Sequence, residues 1–184
     1  MKSRNMICIL LISAALASAA LAWAAEDVTS SVSVPTKNLP EGFKLLAVQT
    51  ASTKGVNMTD EIRDFYGTED IGPVNATIGI YVWAPLGEGY DSKITLLALK
   101  DEDHAKAAIS NYLALPDYQK PPYRGVDRFA SAVINGHNAT EIREEAEMDS
   151  LKYLYLWNNK NIVVLVEGNG SIGKSRDLAS ATGL

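Results

Sequence analysis

Cysteine is almost absent from this chain, and the lack of thiols excludes several kinds of chemistry. The 184 residues contain one cysteine, Cys8, which lies in an apolar leader that we predict is removed. A mature chain without thiols has no disulfides, no cysteine ligands for zinc, iron–sulfur clusters or c-type haem, and no cysteine nucleophile. A domain of about 160 residues buries about two-thirds of its surface, so it can fold without disulfides.

Histidine is also scarce. Neither His104 nor His137 has a second histidine, a cysteine or a nucleophilic serine at a spacing typical of a catalytic or metal site. The sequence therefore predicts a non-enzymatic protein with no cofactor and no metal.

Basic residues are outnumbered by acidic ones. The full chain has 17 lysines and arginines against 22 acidic residues, and removal of a leader containing Lys2 and Arg4 leaves 15 against 22, a net charge of −7. Such a chain is poorly suited to bind nucleic acid or an anionic membrane surface.

The N-terminus has the pattern of an export signal. Two basic residues precede an uncharged apolar stretch over residues 6–25, and Ala22 and Ala24 form a site for cleavage after Ala24. We therefore predict a signal peptide at 1–24, a flexible tether at 25–38 and one domain at 39–184 in a secreted or cell-surface protein. The alternative is an uncleaved anchor, since about 20 apolar residues can span a bilayer.

Hydrophobic periodicity predicts an α+β domain with an antiparallel sheet of about six or seven strands. Helices are expected at 59–66, after Asp101 and at 171–182, and the two main ones are expected to pack on one face of the sheet. The predicted strands cover residues 44–50, 77–83, 92–99, 128–134, 138–145, 151–157 and 161–167.

Short connections make the sheet antiparallel. Asn135-Gly136 favours a two-residue hairpin, and none of the last three joints is long enough for the crossover that parallel strands need. Asn-Ala-Thr opens a strand in each half, at Asn75 and Asn138, and each half ends in a helix. A degenerate internal repeat is therefore a further hypothesis.

The motif with the most specific chemistry is Gly-Asn-Gly-Ser-Ile-Gly-Lys-Ser at residues 168–175. It matches the phosphate-binding loop G-x-x-x-x-G-K-[ST], in which Lys174 would neutralise phosphates and Ser175 would hold magnesium. Only nine residues follow Ser175, and the neighbouring strands are predicted to be antiparallel, whereas nucleotide hydrolysis of this type needs a parallel sheet with crossover helices. We interpret the motif as a glycine-rich loop that enters a helix.

Four Asn-x-Ser/Thr sequons are present, at Asn57, Asn75, Asn138 and Asn169. Composition alone predicts roughly 1.4, so four is an excess that favours glycosylation in an exported chain. The alternative is that these asparagines only serve as turn and strand-start residues.

Aromatic and acidic residues form two further patterns. A stripe of aromatic residues could stack on a ligand or, as is more common, form a covered sheet face; it comprises Tyr153, Tyr155 and Trp157 on one strand and Tyr81 and Trp83 on another. The acidic residues between 141 and 149 lack the spacing of a calcium loop and predict a solvated strand face.

The C-terminal half is similar to the closing segment of small exported proteins of uncharacterised function in methanogenic archaea. The residues that carry this resemblance are Asn135-Gly-His-Asn-Ala-Thr-Glu, Tyr155-Leu-Trp, Val163-Val-Leu-Val and Leu178-Ala-Ser-Ala-Thr-Gly-Leu. The resemblance implies an extracellular setting and a helix-on-sheet domain, but no substrate and no site residues.

The function that follows is an interaction or binding domain with an unknown partner at the cell envelope. Two alternatives remain open: a nucleotide-binding enzyme built on residues 168–175, and a carrier of an apolar or sugar ligand between the aromatic strands and the helices.

Overall fold

The computed structural model describes residues 32–85, 89–146 and 150–184. The predicted signal peptide at 1–24 and its alternative, an anchor at 6–25, lie outside the described residues. Within the described ranges, no helix combines the length and the apolar character needed to cross a bilayer.

In the described residues, seven strands form one sheet, and three α-helices accompany it. The helices are α1 (Met58–Glu61), α2 (Glu102–Leu113) and α3 (Ile172–Ser180), with 3-10 turns at Arg63–Phe65 and Pro116–Gln119. The strands are β1 (Phe43–Thr50), β2 (Asn75–Trp83), β3 (Tyr90–Ala98), β4 (Phe129–Ile134), β5 (His137–Glu145), β6 (Leu151–Asn159) and β7 (Ile162–Gly168).

The strands lie in the order β1-β2-β3-β7-β6-β5-β4, and every neighbouring pair is antiparallel. The chain leaves the centre of the sheet after β3, passes through α2 to the far edge at β4, and returns by a meander that brings β7 beside β3. The predicted α+β class is confirmed, and the predicted antiparallel sheet of about six or seven strands has seven.

The β4–β5 turn follows the sequence prediction. Asn135 and Gly136 both have positive φ angles, of 50° and 85°, and Ile134 pairs with His137. Two consecutive left-handed residues give the type I′ turn whose twist matches that of a hairpin. The expected two-residue hairpin is confirmed.

The periodicity of α2 also predicts its packing. Ala105, Ala108 and Tyr112 are buried in one cluster with the sheet, and Ile109 and Leu113 are partly buried against the same cluster. The helix begins after Asp101, whose carboxylate accepts a hydrogen bond from the His104 backbone N–H. This N-cap satisfies one of the free amides of the first turn.

The expectation that both main helices pack on one face is wrong. Val163 and Leu165 of β7 contribute to the core beneath α2, whereas Val164 and Val166 pack with Leu178 of α3. A strand with alternate side chains in two cores is buried on both faces, which explains its continuous apolar run. The second apolar face needs its own cover, and α3 supplies it.

Two local predictions need correction. The expected helix at 59–66 is a short α-helix followed by a 3-10 turn, and it begins after Asn57 rather than at Thr59. The described part of the predicted tether packs on the domain: Val34 is only 3% exposed, and Pro35 O accepts a hydrogen bond of 2.8 Å from the Tyr81 hydroxyl. Burial of Val34 favours order over the mobility that the polar sequence suggested.

The internal repeat stays a prediction. Each half contains a three-strand meander followed by a helix, β1-β2-β3-α2 and β5-β6-β7-α3, and the two meanders meet at β3 and β7. The twofold axis that would exchange antiparallel β3 and β7 is perpendicular to the sheet, so it would place both helices on the same face. The helices α2 and α3 lie on opposite faces, so they do not follow this symmetry.

Candidate functional site

Residues 168–175 join the end of β7 to the first turn of α3, and Ser175 is fully buried at this junction. Its hydroxyl donates to Gly168 O at 2.9 Å and lies 3.4 Å from Gly170 O. Carbonyl oxygens therefore surround the side chain that would hold magnesium in a phosphate-binding loop. The other serine of the segment, Ser171, caps α3 by accepting a hydrogen bond from Lys174 N.

Packing explains two of the three glycines in this segment. A Cβ at Gly168 would collide with the Ser175 side chain, and one at Gly170 would collide with the ring of Tyr90. Gly173, in contrast, has open space around it. Gly168 and Gly170 therefore permit close packing of β3, β7 and α3 in the glycine-rich loop that enters the helix.

Most of the aromatic stripe is covered. Tyr81, Tyr155 and Trp157 are buried in the core between the sheet and α3, with Leu178 and Ala179 of α3 in the same cluster. These three side chains are core residues rather than a stacking platform.

The remaining two aromatic residues of the stripe are half-buried. Trp83 stacks on Tyr90 with ring centroids 4.9 Å apart and an interplanar angle of 24°. Tyr153 packs at the margin of the core beneath α3. Both side chains pack against the core beneath α3.

All four sequon asparagines are exposed. Asn75 and Asn138 lie at the starts of β2 and β5, Asn57 precedes α1, and Asn169 follows β7. The Asn57 amide donates to the Asp60 carboxylate, and the Asn169 amide donates to the Asp91 carbonyl. Both side chains are exposed although they make these bonds. All four side chains therefore lie at the surface of the domain.

A buried carboxylate lies on the α3 face and corrects the expectation of a solvated acidic strand. Glu141 is only 3% exposed; its Oε1 accepts hydrogen bonds from Arg143 Nε and Nη2, both at 3.1 Å. Its Oε2 accepts from the Tyr155 hydroxyl at 3.1 Å and lies 3.6 Å from Arg176 Nη2. Burial, and next the negative charge of Glu141, raises the pKa of Tyr155 to about 12.

The i, i+2 spacing of Glu141 and Arg143 was a signal that sequence reasoning missed. Alternate strand residues share a face, so the pair could have been predicted to compensate each other's charge. The partners of Glu141 on β6 and α3 come from distant parts of the chain and left no such signal.

A second polar cluster lies on the α2 face, at one end of the sheet. The Tyr118 hydroxyl donates to Glu144 Oε1 at 2.6 Å and lies 3.2 Å from the Tyr112 hydroxyl. Burial raises the pKa of both tyrosines, so both hydroxyls stay protonated even at moderately alkaline pH. Glu144 also pairs with Lys152 at 2.6 Å.

These residues border an open cleft of about 350 Å³, which is mainly acidic. Its lining includes Asp64, Asp117, Glu145, Glu167 and Arg128 together with the two tyrosines and Glu144. Glu167 pairs with Lys93 at 2.8 Å, and Arg128 lies over the Tyr118 ring at 5.5 Å. Lys93 and Lys152 thus compensate the charges of Glu167 and Glu144, and neutral tyrosines are poor general bases.

The histidines do not converge on a site. His104 Nδ1 lies 2.5 Å from Asp101 Oδ1, and the hydrogen bond from this ring lowers the pKa of Asp101. His137 opens β5 beside the hairpin turn. In the described ranges, no group of three histidine, cysteine or acidic residues could hold a metal ion.

Comparisons with protein-family models, curated proteins and solved structures found no match for this chain. The resemblance to exported proteins of methanogenic archaea therefore stays a prediction.

Proposed function

We propose that the chain is an exported, non-catalytic interaction domain, secreted or held at the cell surface and carrying N-linked glycans. The observation that carries this proposal is that all four sequon asparagines are exposed on the folded domain. Exposure alone is common for asparagine, but here it coincides with an excess of sequons and with a predicted export leader.

The internal use of the reactive side chains supports a non-catalytic role. Ser175 donates to backbone carbonyls, Tyr155 donates to Glu141, and Tyr118 donates to Glu144. A catalytic group must reach the substrate with its proton or lone pair available. These bonds instead lie within the fold: Ser175 links α3 to β7, Tyr155 links β6 to β5, and Tyr118 links a 3-10 turn to β5.

Mass spectrometry of the chain isolated from the source cells tests the proposal. We expect the envelope or medium fraction to contain a chain that begins after Ala24, with added mass on peptides that include Asn57, Asn75, Asn138 and Asn169. The variants Asn57→Gln and Thr59→Ala should both remove the modification at the first site, since the enzyme reads the asparagine and the hydroxyl together. An unmodified chain with four bare sequons contradicts the glycoprotein part, and a chain found only in the cytoplasm contradicts export.

The nucleotide-binding alternative has one favourable feature, the half-exposed Lys174. The surroundings of Ser175 argue against nucleotide binding. Its hydroxyl is buried and donates to Gly168 O, so it has no path to a magnesium ion. The ligand-carrier alternative would have to open the α3 face, since Tyr155 and Trp157 are covered.

A further inference from the structure

The two edges of the sheet differ in how they are protected against pairing with another strand. β1 carries Lys44 and has a register shift between Leu45 and Ala47, the kind of bulge that disfavours further pairing. β4, with the sequence Phe-Ala-Ser-Ala-Val-Ile, contains no charge, no proline and no bulge, and all six of its residues pair with β5 in continuous register. Such an edge is open to a further strand.

The outer backbone groups of β4 can be assigned from its register. Arg143 N donates to Arg128 O at 2.9 Å, which makes this a hydrogen-bonded position. Hydrogen bonds to β5 then recur at every second residue, so Phe129, Ser131 and Val133 direct their N–H and C=O groups away from the sheet. No strand of the described residues lies beyond β4.

The same three residues also have exposed side chains. Val133 is 65% exposed and Phe129 is 37% exposed, whereas Ala132 and Ile134 on the other face are buried. Phe129 and Val133 lie at equal distances from Ser131 along the strand. An antiparallel copy centred on Ser131 therefore sets each Phe129 opposite Val133 of the partner subunit, and the outward hydrogen-bonding groups face one another.

We propose that β4 is a homodimer interface in which a second copy of the chain pairs antiparallel, with Ser131 opposite Ser131 of the partner subunit. The pairing buries Phe129 and Val133 and makes the two sheets continuous. The whole chain has a net charge of −5, but β4 has no charged residue, so like charges do not face each other along the line of contact. An interface of one short strand is smaller than that of a permanent dimer, so the association is weak and depends on concentration.

Sedimentation equilibrium of the full chain, produced without glycans, tests whether β4 forms a dimer interface. An unglycosylated chain is used because Asn138 pairs with Val133, so that a glycan on Asn138 and pairing of β4 with a second copy are alternative states of the protein. We expect a monomer–dimer equilibrium, and we expect Val133→Lys to raise the dissociation constant at least about tenfold, since an edge lysine opposes strand pairing. The matched control Val48→Lys, on the exposed face of β1, should leave the constant unchanged.

Two results of that measurement overturn the proposal: a monomer at every concentration, or equal weakening by Val133→Lys and Val48→Lys. The first would be expected if another segment of the same chain covered β4.

Cysteine cross-linking tests the register. In a Cys8→Ser background, Ser131→Cys should form a disulfide-linked dimer on mild oxidation, because hydrogen-bonded antiparallel partners have Cα atoms about 5.5 Å apart. Val133→Cys should cross-link far more slowly, since the two cysteines are then four residues out of register and about 13 Å apart. Equal cross-linking of both variants, or none with Ser131→Cys, overturns the assigned pairing.

Discussion

At the residue scale, the surroundings of a single hydroxyl separate two interpretations of the same eight-residue motif. In a phosphate-binding loop the last serine faces the metal, whereas here Ser175 faces the carbonyl oxygens of Gly168 and Gly170. The motif specifies residue types and their spacing, but not the direction in which a side chain points. The direction is set by packing of α3 on β7, which involves the whole sheet.

Replacement of Ser175 by alanine should therefore reduce stability rather than a catalytic activity. The variant leaves the buried Gly168 carbonyl without its donor, which costs about 1–3 kcal/mol of unfolding free energy. Urea unfolding measures this loss. The neighbouring variant Lys174→Ala should change stability by less than about 0.5 kcal/mol, since Lys174 is partly exposed. Equal stabilities of Ser175→Ala and the unmodified chain would contradict the assignment.

Tyr155 makes stability sensitive to alkaline pH. Its pKa is raised from 10.0 to about 12, first by burial and then by Glu141, so the folded state holds the proton more tightly than the unfolded state. The stabilisation is complete below pH 10 and is lost as the pH rises through 12. Urea unfolding over this range should show a fall in the free energy of unfolding, and Tyr155→Phe should show a shallower fall. A slope unaffected by the substitution would mean that Tyr155 titrates normally.

At the scale of elements, α3 and the loop before it are a structural unit. Gly168 is needed because Ser175 packs against it, whereas Gly173 lies in the first turn of α3 with open space around it. Gly173→Ala should stabilise the protein by about 0.5–1 kcal/mol through helix propensity. Gly168→Ala should destabilise it by about 1–3 kcal/mol through overpacking. Thermal unfolding of the two variants measures the expected gain in stability for Gly173→Ala and the expected loss for Gly168→Ala. A phosphate-binding role alone would not predict this difference in stability.

α3 also covers the aromatic core. Leu178→Ala should cost about 2–5 kcal/mol, since Leu178 is fully buried beside Trp157, and should shift tryptophan emission toward longer wavelength. Ile172→Ala, at an exposed position of the same helix, serves as the control. An unchanged emission spectrum and unchanged stability would show that α3 is not the cover.

Local signals in the sequence predicted elements well, and long-range arrangements poorly. The hairpin at Asn135 and the helix after Asp101 were predictable, because each depends on residues within one or two turns of each other. The face on which α3 packs was not, since it depends on which side of β7 was already covered by α2. Burial of Glu141 was missed for the same reason: its partner Arg176 is far away in sequence.

At the scale of the whole molecule, the described residues place their most distinctive polar groups inside the fold and leave sequons and a strand edge at the surface. A partner of the proposed interaction domain would therefore meet the sequons and the strand edge on its exterior. The acidic cleft near Tyr118 was not predicted, because it joins residues from the 3-10 turns, β5 and β7.

The most direct test of this account is calorimetric titration of magnesium nucleotide into the full chain, with the melting temperature measured in parallel. We predict no binding heat and no shift in melting temperature, for the chain with its natural sequence and for Lys174→Ala alike. Saturable binding that Lys174→Ala abolishes would contradict it, because residues 168–175 would then bind phosphate rather than only join β7 to α3.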